Sequence, residues 1–165
     1  MMNFLSSLSA SDWIQIIGIF VTSGIGVWIA RGIQNNVNKS RCLRDFFIRE
    51  LTALQEDYRN FTNQIFAGKL SANEIKTSFK SFTTRTSTLD DFIHRNFKVE
   101  GTLIKDAHTQ LQQELTDHDE FNAQFSSATV SFSSTPKQQF QALHLNLSKA
   151  ITQRIITVNE AKIIR

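Results

Sequence analysis

The residues Trp13 to Ala30, WIQIIGIFVTSGIGVWIA, carry no charge and lie between Asp12 and Arg31. As an α-helix at about 1.5 Å per residue, this run spans roughly 27 Å, close to a hydrocarbon core of about 30 Å. The only two tryptophans, Trp13 and Trp28, sit near its ends, where amphipathic rings settle at a bilayer interface. The run therefore reads as a single transmembrane helix. Its apolar surface is interrupted on one side. Gln15, Gly18, Thr22 and Gly26 share a narrow wedge of that helix, which Ile29 and Ile33 continue. Gly18, Thr22 and Gly26 form a small-xxx-small row that lets helices approach closely in lipid. Gln15 adds an amide that needs a partner there, either a copy of itself or a line of water. The row either packs against its own copies or lines a polar path.

Charge sets the orientation. All 18 lysines and arginines follow Ala30. Arg31, Lys39, Arg41, Arg44 and Arg49 come soon after it, against the single acid Asp45. By the positive-inside rule, residues 1–12 are extracytoplasmic and the large domain faces the cytoplasm, so the expected location is the cell inner membrane. The missing basic residues ahead of the run also argue against a cleaved signal peptide.

Beyond Ala30 the residues follow a helical period. One proline and six glycines leave little punctuation for turns, and 14 phenylalanines against one tyrosine suit a core of plain aromatic rings. The single cysteine, Cys42, excludes an internal disulfide framework. Leu43, Phe47, Leu51, Leu54, Tyr58, Phe61 and Ile65 alternate by four and three, which predicts a helix facing other helices up to about Ala67, with Gly68 as its cap. Residues 32–40 read as a polar juxtamembrane stalk or a bend. Ser71 and Glu74 form a capping box ahead of a second helix through Ile75, Phe79, Phe82, Thr86, Leu89 and Ile93, ending near Phe97. A third helix is predicted through Leu103, Ile104, Ala107, Leu111 and Leu115 and on to Phe121 and Phe125, before the loop 126–135. Thr135 to Gln138 reads as a second capping box, with Pro136 at the first helical position. The fourth helix then carries Phe140, Leu143, Leu147, Ala150, Ile151, Ile155 and Val158. The expected fold is all-α: an N-terminal single transmembrane helix followed by a cytoplasmic antiparallel four-helix bundle. Residues 31–67 form its stalk and first helix, and residues 68–165 the other three.

No phosphate-cradling glycine loop, zinc-protease motif, cysteine pair or nucleophile elbow occurs, so the chain reads as a non-enzyme without a cofactor. Asp117-His118-Asp119-Glu120 has metal-ligand chemistry, but adjacent helical residues diverge, and a solvated acidic surface is the expected reading. The four histidines are dispersed. Basic residues are the better lead. Arg31, Lys39, Arg41, Arg44 and Arg49 are candidate contacts to anionic lipid or to an anionic ligand, a nucleotide or short single-stranded nucleic acid. Lys76 and Lys80 join them from the second helix. Lys69, Arg85 and Arg154 add to the same positive balance.

In layout the chain resembles small membrane effectors of bacterial anti-phage systems, the HalA-type proteins of Hailong defence. The resemblance runs through WIQIIGIFVTSGIGVWIARG and the helical region behind it and is one of architecture. It implies an oligomeric channel that arrests growth, held closed by a nucleic-acid ligand made by a partner nucleotidyltransferase. It carries over no site residue. The alternative is a membrane-anchored adaptor or scaffold, with the bundle as docking surface for a cytoplasmic partner.

Overall fold

The computed structural model describes residues 38–99, 101 and 103–160. Trp13–Ala30, with the packing row and the tryptophans on it, and residues 31–37 lie outside the described residues. Among the described residues, no helix is long and apolar enough to cross a membrane. The chain is all-α over these residues: α1 is Asn38–Phe66, α2 Ala72–Phe97, α3 Leu103–Thr116, α4 Asp119–Ala123 and α5 Ser134–Glu160.

α1 owes its burial to the four–three row. Phe47, Leu51, Leu54, Tyr58, Phe61 and Ile65 are all buried, and Leu43 packs half-buried at the edge. The helix stops where the backbone turns left-handed at Gly68, with φ of 62°. Gly68 donates its N–H to Ile65 O at 2.9 Å and Lys69 donates to Gln64 O at 3.1 Å, so both of these carbonyls in the last turn of α1 are satisfied. At the start of α2, Glu74 N–H donates to Ser71 Oγ at 3.3 Å, and Ser71 N–H donates to Glu74 Oε2 at 2.8 Å. Those Ser71 donors hold the Glu74 carboxyl below the usual carboxylate range. Replacing Ser71 with alanine is expected to remove about 1 kcal/mol of stability, read as a lower thermal midpoint of the full chain.

The third predicted helix is broken. α3 ends at Thr116, and His118 leaves helical geometry with φ −66° and ψ 138°. Its Nδ1 accepts the Glu120 N–H at 3.1 Å, so the imidazole caps the short α4 instead of continuing α3. Phe121 is thereby turned into the core. The last helix also starts earlier than the Thr135 box predicts. Ser133 donates its N–H and hydroxyl to the two Glu120 carboxylate oxygens at 2.7 and 2.6 Å. Lys137 N–H closes the first turn onto Ser133 O at 3.3 Å. Pro136 then lies within the first turn, where no intrahelical bond is lost.

Cross-helix pairs give the directions. Phe47 meets Phe97 and Phe61 meets Phe79, at ring-centroid distances of 5.7 and 5.1 Å, so α1 and α2 are antiparallel. Thr83 meets His108, and Asp90 meets the Lys105 N–H, which sets α3 antiparallel to α2. Gln139 donates to Glu114 and Arg154 donates to Gly101 O, which sets α5 antiparallel to α3. α5 closes the ring against α1, where Gln55 reaches Ser148 and Thr152. Its packing on α1 and α3 is the most extensive in the domain.

Candidate functional site

The basic candidates fall at opposite ends of this domain. Arg41 and Arg49 are exposed and Arg44 half-buried, all in the first turns of α1, whose backbone also carries Lys39. Lys76 and Lys80 are exposed near the start of α2, which lies beside the far end of α1. The 14 helical steps from Phe47 to Phe61 separate the two levels by about 20 Å. A single chain therefore does not gather these residues into one surface. Lys76 is also engaged locally, its Nζ 4.5 Å from the centre of the Phe125 ring and 5.8 Å from that of Phe121. Arg31 lies outside the described residues.

Two further cations are absorbed by the fold. Arg85 sits between α1 acids, 3.5 Å from Glu50 Oε2 and hydrogen-bonded to Asp57. Arg154 is fully inside, its side chain 2% exposed, and lies 3.1 Å from Asp90 Oδ1, itself 5% exposed. Its guanidinium also donates to Gly101 O, while Asp90 Oδ2 accepts the Lys105 N–H in the first turn of α3 at 3.3 Å. Burial pushes the Asp90 carboxyl above its ordinary range, with Arg154 pulling the other way. Arg154 is thus a structural strut rather than a surface contact, because an acid from another helix meets it in the core.

A second buried polar group lies among the dispersed histidines. His108 is fully buried between three helices. Its Nδ1 lies 2.7 Å from Tyr58 Oη, and its Nε2 lies 2.7 Å from Thr83 Oγ1. The Thr83 hydroxyl donates to Phe79 O at 2.9 Å, so its oxygen accepts from Nε2–H and Nδ1 accepts from the tyrosine. The neutral ring satisfies every partner. Burial accordingly lowers the His108 pKa to about 4, and burial raises the Tyr58 hydroxyl well above its usual value. The signal was in the spacing: Ile104, His108, Leu111 and Leu115 keep the four–three core row.

Asp117, His118 and Asp119 line an open depression together with Gln113 and Glu114. Among the described residues, no group of three or more histidine, cysteine or acidic side chains is placed to hold a metal ion. Cys42 is exposed on α1.

The outer face of α5 is the least charged on the domain. Of its exposed positions between Gln138 and Asn159, only Lys149 is charged. Leu145 and Ile156 on that face are 53% and 43% exposed. On α1, by contrast, Arg41, Asp45, Arg49, Glu56, Asp57 and Arg59 are all exposed.

These features define an all-α domain with buried polar groups in its interior and one sparsely charged outer helix face. No family model, no curated protein and no solved structure matches this chain.

Proposed function

We propose that this chain is an oligomeric single-pass membrane effector that permeabilises or depolarises the membrane in bacterial anti-phage defence. Its helical domain controls the span, through a nucleotide or short oligonucleotide made by a partner nucleotidyltransferase. The carrying observation is the uncharged run Trp13–Ala30, bracketed by its tryptophans and marked along one side by Gln15, Gly18, Thr22 and Gly26. An anchor needs only apolar residues. A row of small and polar ones suits a helix that meets its own copies.

Induced expression of the full chain is expected to collapse the membrane potential, followed with a potential-sensitive dye, and Gln15→Leu is expected to change the extent of the collapse. An unchanged potential, in cells shown to hold the inserted chain both at rest and under phage challenge, rejects the channel. Ligand control is tested by salt-sensitive oligonucleotide binding to the purified oligomer. Binding no stronger than that of a neutral control protein at low salt rejects it.

The second reading is a membrane-anchored adaptor. The observation in its favour is the α5 face, where Leu145 and Ile156 offer apolar surface to a partner.

A further inference from the structure

The end of the domain where α1 starts collects cations from three helices. Phe47 meets Phe97 there, so the start of α1 lies beside the end of α2. α3 begins at the same end, with its Lys105 N–H on Asp90, and α5 finishes there, with Arg154 on Gly101 O. Arg41 on α1, Arg95 and Lys98 at the close of α2, and Lys105 in the first turn of α3 are all exposed. None of the four is in an ion pair with a described residue. Between Lys98 and Lys105 the chain turns through left-handed backbone at Lys98 and Gly101, with φ of 49° and 94°. Leu103, just before Lys105, is 48% exposed.

The acids of this end are fewer. Along the sequence, residues 31–41, 95–106 and 157–165 run through or adjoin it. They hold eight basic residues against Glu100, Asp106 and Glu160, a net +5. The whole chain is +3, so everything else sums to −2. Glu114, Asp117 and Asp119 are exposed at the other end, at and beyond the last turn of α3. The charge is polarised along the domain, and its positive end is the one that the chain enters from Ala30.

We propose that this basic end docks against the anionic headgroups of a bilayer, with Leu103 entering the headgroup layer between Lys98 and Lys105. Two observations name a lipid surface as the partner. An aliphatic side chain exposed among cations held in no ion pair suits a surface with anions outside and hydrocarbon beneath, whereas a free phosphate offers nothing to Leu103. The second observation is reach. Eight chain steps separate Ala30 from Asn38, about 12 Å as helix and about 28 Å at full extension, so a span at Trp13–Ala30 keeps this end beside the headgroups. For that reach the proposal rests on the membrane reading, while the cations and Leu103 are independent of it. Arg95, Lys98, Leu103 and Lys105 lie far from the span in sequence and come to the membrane only through the fold. They give the domain a second hold on the bilayer besides the chain connection.

The test uses the full chain in a Cys42→Ser background, reconstituted in vesicles of phosphatidylcholine alone or with phosphatidylglycerol. A fluorophore is attached at Leu103→Cys or, as the far-end control, at Ser127→Cys. A phospholipid carrying a nitroxide just below its headgroup serves as quencher. With phosphatidylglycerol present, the label at Leu103→Cys is expected to be quenched and the label at Ser127→Cys is not. Arg95→Gln, Lys98→Gln and Lys105→Gln together, with the helical circular dichroism kept, are expected to lower the docked-to-undocked ratio on the order of a hundredfold, at about fivefold per charge. Equal quenching at the two positions, equal quenching at Leu103→Cys with and without phosphatidylglycerol, or unchanged quenching in the triple variant overturns the proposal. So does a short single-stranded oligonucleotide that binds through the same three residues while Leu103→Cys stays unquenched, which gives this end to nucleic acid. Alkaline extraction of the same vesicles reads insertion separately. A chain that is extracted yet was quenched at Leu103→Cys keeps the docking and loses the span. One that resists extraction without quenching keeps the span and loses the docking.

Discussion

Replacing Asp90 with alanine is expected to destabilise the helical domain by about 3–5 kcal/mol, the usual consequence of leaving one half of a buried ion pair without its partner. The group that loses this acid is the Arg154 guanidinium, which is almost wholly inside and also donates to the Gly101 carbonyl. The substitution also strips the Lys105 N–H, at the start of α3, of its acceptor. Denaturant unfolding of the full chain in mild detergent, followed by circular dichroism, measures the loss. The pair Asp90→Leu with Arg154→Met removes both charges and is expected to recover most of it, since an apolar pair of similar volume is often as stable as a buried ion pair. A loss below about 0.5 kcal/mol for Asp90→Ala would place the ion pair among ordinary surface contacts and refute its role as a strut.

Acid is expected to weaken the domain through His108. Its folded pKa of about 4 lies below the unfolded value of 6.5, so between these limits the unfolded chain binds the extra proton. The stabilisation is complete above pH 6.5 and is lost as the pH falls to about 4. The difference amounts to about 3 kcal/mol. Protonation puts a hydrogen on Nδ1, which then faces the Tyr58 hydroxyl with the hydroxyl's own proton already directed at the ring. His144, half-buried, is shifted in the same direction by burial. The decisive measurement is therefore the difference between the parent and His108→Gln. Stability of the variant should fall less steeply from pH 6.5 to 4, by about 3 kcal/mol in total. Parallel curves for the two proteins would exclude His108 as the source.

Local period made α1 legible. Each residue of the row from Leu43 to Ile65 meets the core because one unbroken helix carries them all. The Ser71–Glu74 box was legible for the same reason, since both partners lie within four residues. The features that escaped depend on distant partners. Thr135-Pro136-Lys137-Gln138 matches a capping box, yet the entry to α5 is set by Glu120, which is 13 residues upstream of the Ser133 it holds. The apolar residues Leu115, Phe121 and Phe125 hide the break at His118, because its imidazole acts as a cap only once the chain has bent. The basic residues gave sign without position. Nothing local separates Lys76 from Arg85 or Arg154, but the acids of α1 and α2 take the last two into the structure. The membrane row and the tryptophans stand on sequence alone.

The closure of α5 against α1 has a consequence for synthesis. Gln55 and the Ser148 it contacts are 93 residues apart. At elongation rates of about 5–20 residues per second, the ribosome takes roughly 5–20 s to cover that interval. Throughout it, the row from Phe47 to Ile65 lacks one of its walls, and it emerges just behind an apolar segment of its own chain. A nascent chain in that state exposes apolar surface and is a natural client for holding factors. Slowing elongation between codons 66 and 134 lengthens the exposure without altering a single residue of the product.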